Sequence, residues 1–188
     1  MDYSSRAGRA HSSTKSTRDG EVWKGAAAGA VGGLVGAWVM NQVSPVIEKV
    51  ASAASNGQQK RQTANSEQPE DATMITAEKI SEAVAGIRLS KEQKEKGGTI
   101  VHYAFGALMG AVYGAAAEIL PPVPVTSLAG LPYGAALFVG VDEVTLSVLG
   151  LTKMPNEYPL SSHLSGLGQH LVYGATTEFV RRTIRDRL

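Results

Sequence analysis

Four stretches of this chain are rich in glycine and alanine, carry few charges, and are long enough to cross a lipid bilayer as helices. They occupy residues 25–47, 99–120, 123–151 and 160–180. A helix of about 20 residues rises roughly 30 Å, which is the thickness of the hydrocarbon core. We therefore predict an all-α integral membrane protein, a bundle of four transmembrane helices.

Glycines recur at steps of four within these stretches, which predicts close helix packing. In water a glycine inside a helix costs about 1 kcal/mol relative to alanine, so a soluble protein would seldom accept so many. In lipid, small residues let helix backbones approach each other and gain contact. The alternative is that the same glycine faces form the interface of a homodimer. The packing residues are predicted to be Gly25, Gly29, Gly33, Gly106, Gly110, Gly114 and Gly174.

Most of the charge lies outside the apolar stretches, in a basic tail (1–24), a polar loop (48–98) and a basic end (181–188). Lys and Arg are enriched in cytoplasmic segments, so we expect both termini in the cytoplasm. Basic ends also favour anionic lipid headgroups. The cluster at the C-terminal end consists of Arg181, Arg182, Arg185 and Arg187.

The formal net charge of +1 excludes a nucleic-acid binder held by bulk electrostatics, and nucleic acid is not an expected partner. The absence of cysteine excludes disulfides, thiolate metal sites and a cysteine nucleophile.

The polar loop contains one apolar periodicity. Residues 51–74 are predicted to be a flexible linker because they contain few apolar side chains. Residues 75–88 place Ala77, Ile80, Val84 and Ile87 at helical spacing. This spacing predicts a short amphipathic helix that lies on the membrane or on the bundle, with docking of a partner as the alternative.

Two segments of the chain are similar to each other. Residues 112–118 (VYGAAAE) align with residues 172–178 (VYGATTE) at an offset of 60, and the same offset aligns Gly106 with Gly166. Residues 133–136 (YGAA) form a shorter copy. Chance similarity between such helices is one explanation. A true repeat would pair the first two spans with the last two, both pairs running in the same sense.

Several short pieces of residues 99–188 carry a resemblance to a known family. They are His102, Ala117-Glu118 followed by Pro121-Pro122, Gly150-Leu151-Thr152, His170-Leu171-Val172, Glu178 and Arg181-Arg182. In these pieces the chain resembles the YagU-like family of bacterial inner-membrane proteins. The resemblance implies a multi-span protein of the bacterial inner membrane. It implies no reaction, since none is established for that family.

Seven ionisable residues lie within the predicted spans, where insertion scales assign each charge a cost of about 2.5–3.5 kcal/mol. They are His102, Glu118, Asp142, Glu143, His163, His170 and Glu178. Such residues face protein or water rather than lipid. Because Arg181 and Arg182 follow Glu178 by three and four residues, we expect an ion pair there, and Glu118 is expected to reach the same arginines.

Asp142 and Glu143 allow two interpretations. If the third span ends near residue 141, they mark its outer end. If the span is centred further along the chain, they lie deep, near the level of His170, where a carboxylate and a histidine could relay protons.

The sequence contains no recognisable catalytic motif. It lacks the paired Glu-x-x-His of di-iron bundles, the His-Glu-x-x-His of zincins, a phosphate-binding loop and a nucleophile elbow. We therefore expect no enzyme, no metal and no cofactor. The leading hypothesis is a structural or interaction protein whose partners are membrane lipids, further copies of itself or another membrane protein. The alternative is a proton-linked transporter or channel component that uses Glu118, Asp142, Glu143, His170 and Glu178.

Overall fold

The computed structural model describes residues 4–55, 70–120 and 130–188, with side chains described from Gly20 onward. The described chain is helical and contains no strand. Its helices are α1 (Ser4–Ala54), α2 (Ala72–Ala85), α3 (Lys91–Ile119), α4 (Gly130–Val148) and α5 (Leu160–Arg185). The predicted helical class is therefore confirmed.

Three of these helices are long and apolar enough to cross a membrane. The first is the Gly20–Ala54 part of α1, and the other two are the whole of α3 and the whole of α4. The 26 residues of α5 give it the length of a span, but its composition is less apolar than that of the other three. The structure thus supports a membrane protein with three candidate spans, and the fourth span stays a prediction.

Several helices differ in extent from the predicted segments, and for α3 a cap explains the difference. α3 begins at Lys91 rather than 99, because Ser90 accepts a hydrogen bond from the Gln93 N–H while the Gln93 side chain accepts one from the Ser90 N–H. At the other ends, α1 continues to Ala54, and α5 continues to Arg185 rather than ending at 180. Residues 121–129 and most of the predicted linker lie outside the described residues.

The amphipathic helix of the polar loop is displaced from its predicted range of 75–88. α2 begins after Asp71, whose carboxylate accepts hydrogen bonds from two backbone N–H groups, and ends at Gly86, which adopts φ 67°. Ile87 therefore lies beyond the helix. α2 packs on the start of α3, where Lys94 lies 2.6 Å from Glu78, while the side chain of Val84 is exposed.

The first helix pair, α1 and α3, is antiparallel and packs backbone against backbone. A Cβ atom placed on Gly25 would lie 2.6 Å from the carbonyl oxygen of Gly114. One step along the pair, a Cβ on Gly29 would overlap the Gly110 carbonyl, and at the next step Gly33 meets Gly106 in the same way. A side chain at any of these positions would separate the helices.

The second pair, α4 and α5, repeats the same antiparallel arrangement. Gly130 faces the Gly174 carbonyl and Gly134 faces the His170 carbonyl, as Gly25 and Gly29 face α3. Glu178 lies beside Gly130 in the way that Glu118 lies beside Gly25. Contacts at equivalent positions in both pairs favour a true repeat over chance similarity.

The two pairs diverge at the third step of the ladder. In the position that corresponds to Gly33, α4 carries Phe138, whose ring fills the space that a side chain at Gly166 would occupy. From Phe138 to Thr145 the backbone of α4 is a π-helix, and Leu146–Val148 completes it as an α-helical turn. A π-helical segment changes the direction of the side chains that follow it and is frequent at functional sites.

α1 also packs against α5, which joins the pairs. A Cβ on Gly32 would lie 2.6 Å from the Thr177 carbonyl, and one on Gly36 would lie 3.0 Å from that of Tyr173. Tyr173 is buried and donates a hydrogen bond of 2.7 Å to the Gly106 carbonyl on α3. Because Gly32 meets Thr177 and Gly36 meets Tyr173, α1 and α5 are antiparallel. Together with the two antiparallel pairs, this means that α1 and α4 run in one direction and α3 and α5 run in the opposite direction.

Large apolar side chains cover the outside of the bundle while glycines and alanines form its interior. Exposed examples on three helices are Val31, Leu34, Trp38, Phe105, Leu108, Val112, Val139 and Val144. A soluble monomer rarely exposes so continuous an apolar surface. This distribution is the one expected of helices that pack through small residues and face lipid with large ones.

We expect Gly29→Ala to destabilise the α1–α3 contact by about 1–3 kcal/mol, because the added methyl group overlaps the Gly110 backbone. Gly20→Ala is the matched control on the same helix, since nothing lies near its Cβ position. The measurement is the thermal unfolding midpoint of the purified protein in detergent. Equal midpoints for the two variants would contradict the packing described here.

Candidate functional site

Two clusters of ionisable side chains lie at opposite ends of the bundle. The first, here called the arginine end, lies where Gly25 meets α3 and contains Glu21, Lys24, Glu118, Glu178, Arg181, Arg182 and Arg185. The second, here called the histidine end, lies beyond the level of Ala37 and contains His102, Asp142, Glu143, His163 and His170.

Glu178 is the centre of the arginine end. The residue is 1% exposed, and its two carboxylate oxygens accept hydrogen bonds of 2.7 and 3.0 Å from Arg181. Arg182 donates to the same carboxylate. The guanidinium of Arg181 lies over the ring of Tyr113, 5.8 Å from its centroid. Burial of this carboxylate is tolerated because two cations neutralise it and donate to both oxygens.

Glu118 extends the cluster across three helices. Its carboxylate accepts a hydrogen bond of 2.8 Å from Arg185 and lies 3.8 Å from the guanidinium of Arg181. Arg185 also pairs with Glu21, which lies in α1 near Gly20, where the candidate span begins. The hydrogen bond to Glu118 raises the pKa of Arg185, so this arginine stays cationic at any ordinary pH. Arg187 is exposed and makes no ion pair with the described residues. The network ties α1, α3 and α5 together at one end.

At the histidine end, His163 is held between two acceptors. Its Nδ1 lies 2.7 Å from Glu143 and its Nε2 lies 3.0 Å from the Pro155 carbonyl. A carbonyl only accepts, so Nε2 carries a proton. The contact at Nδ1 then needs one more proton, located either on the imidazole or on the carboxyl group.

His170 and Asp142 form a second and looser pair. Nδ1 of His170 donates to the Gly166 carbonyl at 2.9 Å, which leaves Nε2 facing Asp142 at 3.7 Å. This separation is beyond a hydrogen bond, although two opposite charges at that distance still attract each other. Asp142 therefore keeps hydrogen-bonding capacity that His170 does not use.

His102 approaches the same carboxylate from α3. Its Nε2 is buried, and no described side chain or backbone group lies within hydrogen-bond distance of it. Its ring packs edge-on against Tyr103, with 5.5 Å between the centroids. A buried ring nitrogen without a protein partner is costly unless water or a ligand reaches it.

These groups line a cavity of about 780 Å³ to which all five helices contribute. The rest of the lining is largely apolar and includes Phe105, Met109, Leu137, Phe138, Val141 and Leu146. The cavity begins where Phe138 interrupts the glycine ladder. Its size is typical of a small-molecule site, in which a few polar groups orient an otherwise apolar ligand.

The structure places Asp142 and Glu143 beside histidines of α5, and their depth in a bilayer stays a prediction. α4 continues to Val148, five residues beyond Glu143, so the carboxylates do not mark its end. Both lie in the π-helical segment and face histidines of α5.

Sequence reasoning missed a tyrosine cluster that joins the helices between the two ends. Tyr113 stacks on Tyr133 with 4.2 Å between ring centroids, and Tyr133 lies 6.1 Å from Tyr173. The three tyrosines are the ones in the repeated Tyr-Gly-Ala segments. The repeat was therefore the signal that could have located them.

The model of a family described as "Protein of unknown function (DUF1440)" matches residues 60–179. No curated protein and no solved structure matches the chain.

We expect Glu178→Gln to lower the free energy of unfolding by about 3 kcal/mol, because the variant leaves buried arginines without their counter-ion. Glu92→Gln is the control, since Glu92 and its partner Lys96 are both largely exposed. Denaturant unfolding of the purified protein in detergent measures both. A loss for Glu178→Gln no larger than the loss for Glu92→Gln would show that the arginine end does not stabilise the bundle.

Proposed function

Because this chain belongs to the DUF1440 family, a family of unknown function, we propose its role from the geometry of its residues: a four-helix protein of the bacterial inner membrane with a structural or partner-binding role. Its partners are membrane lipids together with further copies of itself or another membrane protein. The inner-membrane location also rests on the resemblance of residues 99–188 to YagU-like proteins.

The buried polar residues of α5 support its assignment as a fourth span. Ser161, Ser165, Thr177 and Glu178 lower its apolar content, but all four are buried against protein. The large side chains that α5 exposes are apolar, namely Leu160, Leu164 and Phe179. Polar residues inside a span are tolerated when they face the bundle rather than lipid.

The closed arginine end is the observation that carries the structural role. Backbone contacts at the glycine ladders leave no room between the helix axes, and the ion network joins α1, α3 and α5 at that end. The exposed Arg187 suits an anionic lipid headgroup, which contributes about 1 kcal/mol near the surface. We further propose that the chain is not an enzyme and acts without a metal or cofactor.

Site-directed labelling tests the topology, and the lack of native cysteine makes it simple. We expect Leu188→Cys to react with a membrane-impermeant maleimide only from the cytoplasmic side, and Arg88→Cys only from the periplasmic side, since both side chains are exposed and belong to opposite ends of the bundle. Labelling in right-side-out vesicles, before and after permeabilisation, measures this. Labelling of both positions from one side would overturn the four-span proposal.

A proton-linked transporter or channel component is the second candidate, and the two histidine–carboxylate pairs favour it. Asp142 and His170, like Glu143 and His163, are juxtaposed so that each pair can hold a titrating proton. Four spans are few for a monomeric carrier, so this candidate requires an oligomer.

Proton flux distinguishes the two candidates. For the structural role, proteoliposomes loaded with a pH-sensitive dye respond to an imposed pH gradient at the rate of empty liposomes. For the transporter, the rate exceeds that of empty liposomes, the Asp142→Asn/Glu143→Gln double variant abolishes the excess, and Glu92→Gln retains it. The second result would replace the structural role with the transport role.

A further inference from the structure

The cavity at the histidine end is selective in its charge. Three carboxylates line it, those of Asp71, Asp142 and Glu143, and its described lining contains no lysine or arginine. The only groups there that can become cationic are three histidines, His102, His163 and His170. A cavity with this composition attracts a cation and repels an anion when the histidines are neutral.

The remaining surface of the cavity is largely apolar. The rings of Phe105 and Phe138 form part of the lining, and aromatic faces attract cations that have lost their water. A ligand that buries itself here therefore needs an apolar body as well as a positive charge. A hydrated metal ion does not meet this requirement, and a hydrophobic organic cation does.

The two acids of α4 are not equally available to such a ligand. Glu143 is engaged by His163 at 2.7 Å, and His163 is fixed by Pro155 on its other side. Asp142 stands 3.7 Å from His170 and has capacity to spare. The unpartnered Nε2 of His102 lies in the wall of the same cavity. The third carboxylate, Asp71, caps α2, where its Oδ1 accepts hydrogen bonds from the backbone N–H groups of Thr73 and Met74. Asp142 is therefore the carboxylate that a ligand can approach most freely.

We propose that this cavity binds a hydrophobic organic cation, and that Asp142 neutralises the ligand while a proton leaves the Asp142–His170 pair for solvent. Before binding, the pair holds one proton beyond the one on His170 Nδ1, located on His170 Nε2 or on the Asp142 carboxyl group, and is neutral as a unit. The incoming positive charge replaces that of the proton, so the net charge of the site is unchanged. This binding does not depend on whether the bundle conducts protons.

Exchange of a cation for a proton makes affinity depend on pH. Three titratable groups face Asp142: His102 from α3, His170 from α5, and Glu143, the next residue of α4. A proton on either histidine adds a positive charge that repels the ligand. Affinity must therefore rise with pH. For one released proton, the rise is about tenfold per pH unit at most.

Equilibrium binding of tetraphenylphosphonium to the full chain in detergent tests the proposal, with tetraphenylborate as a probe of the same shape and opposite charge. We expect saturable binding of the phosphonium, at least about tenfold weaker binding of the borate, and release of about one proton per phosphonium bound in weakly buffered solution at pH 7. Asp142→Asn should weaken phosphonium binding at least about tenfold, because it removes the charge that neutralises the ligand.

Asp186→Asn is the matched control, since Asp186 is exposed beyond the arginine end and should leave affinity unchanged. Equal affinity of wild type and Asp142→Asn, equal binding of the two probes, or binding without proton release would each overturn the proposal. If Asp142→Asn does not remain helical and monodisperse, the comparison of the two probes and the proton count decide the matter on the wild-type protein.

Discussion

The close approach of helix backbones at glycine is the contact on which the rest of the structure depends. α1 meets α3 through Gly25, Gly29 and Gly33, and it meets α5 through Gly32 and Gly36. Because neither contact tolerates a side chain, the helices are fixed in register as well as in distance. That register brings Glu118, Glu178 and their arginines to one end, and the histidines to the other.

Divergence within the repeat explains why the two ends differ. Each pair places a glutamate beside the first glycine contact, and both glutamates meet arginines of α5. At the third contact the first pair keeps glycine against glycine, whereas the second pair has Phe138 against Gly166. The ring separates the helices, the π-helical segment follows, and the cavity opens there. A single large residue in a ladder of small ones thus accompanies the change from packed interior to open cavity.

The sequence was sufficient to predict what depends on spacing along one helix. The glycine steps located the packing faces, and the position of Glu178 before Arg181 and Arg182 located their contact, because the α-helix has a fixed period. Features that depend on neighbouring helices were not predictable in this way. The direction in which Asp142 and Glu143 point is set by the π-helical segment that contains them. That segment begins at Phe138, whose ring packs against Gly166 of α5. α3 begins early because Ser90 caps it, and a hydropathy pattern does not indicate a helix start among polar residues.

The two ends of the bundle must respond differently to pH. At the arginine end the cations are guanidinium groups, which stay protonated, so acid affects that network only when its carboxylates become protonated. At the histidine end each α4 carboxylate faces an imidazole instead, at 2.7 Å for Glu143 and 3.7 Å for Asp142, and an imidazole exists in a neutral as well as a cationic form. Protonation of an imidazole therefore changes the charge of the cavity, whereas the cations of the arginine network are permanent. The glycine contacts between the two ends join backbone to backbone, Gly29 to Gly110 and Gly33 to Gly106, and so contain no group whose charge depends on pH.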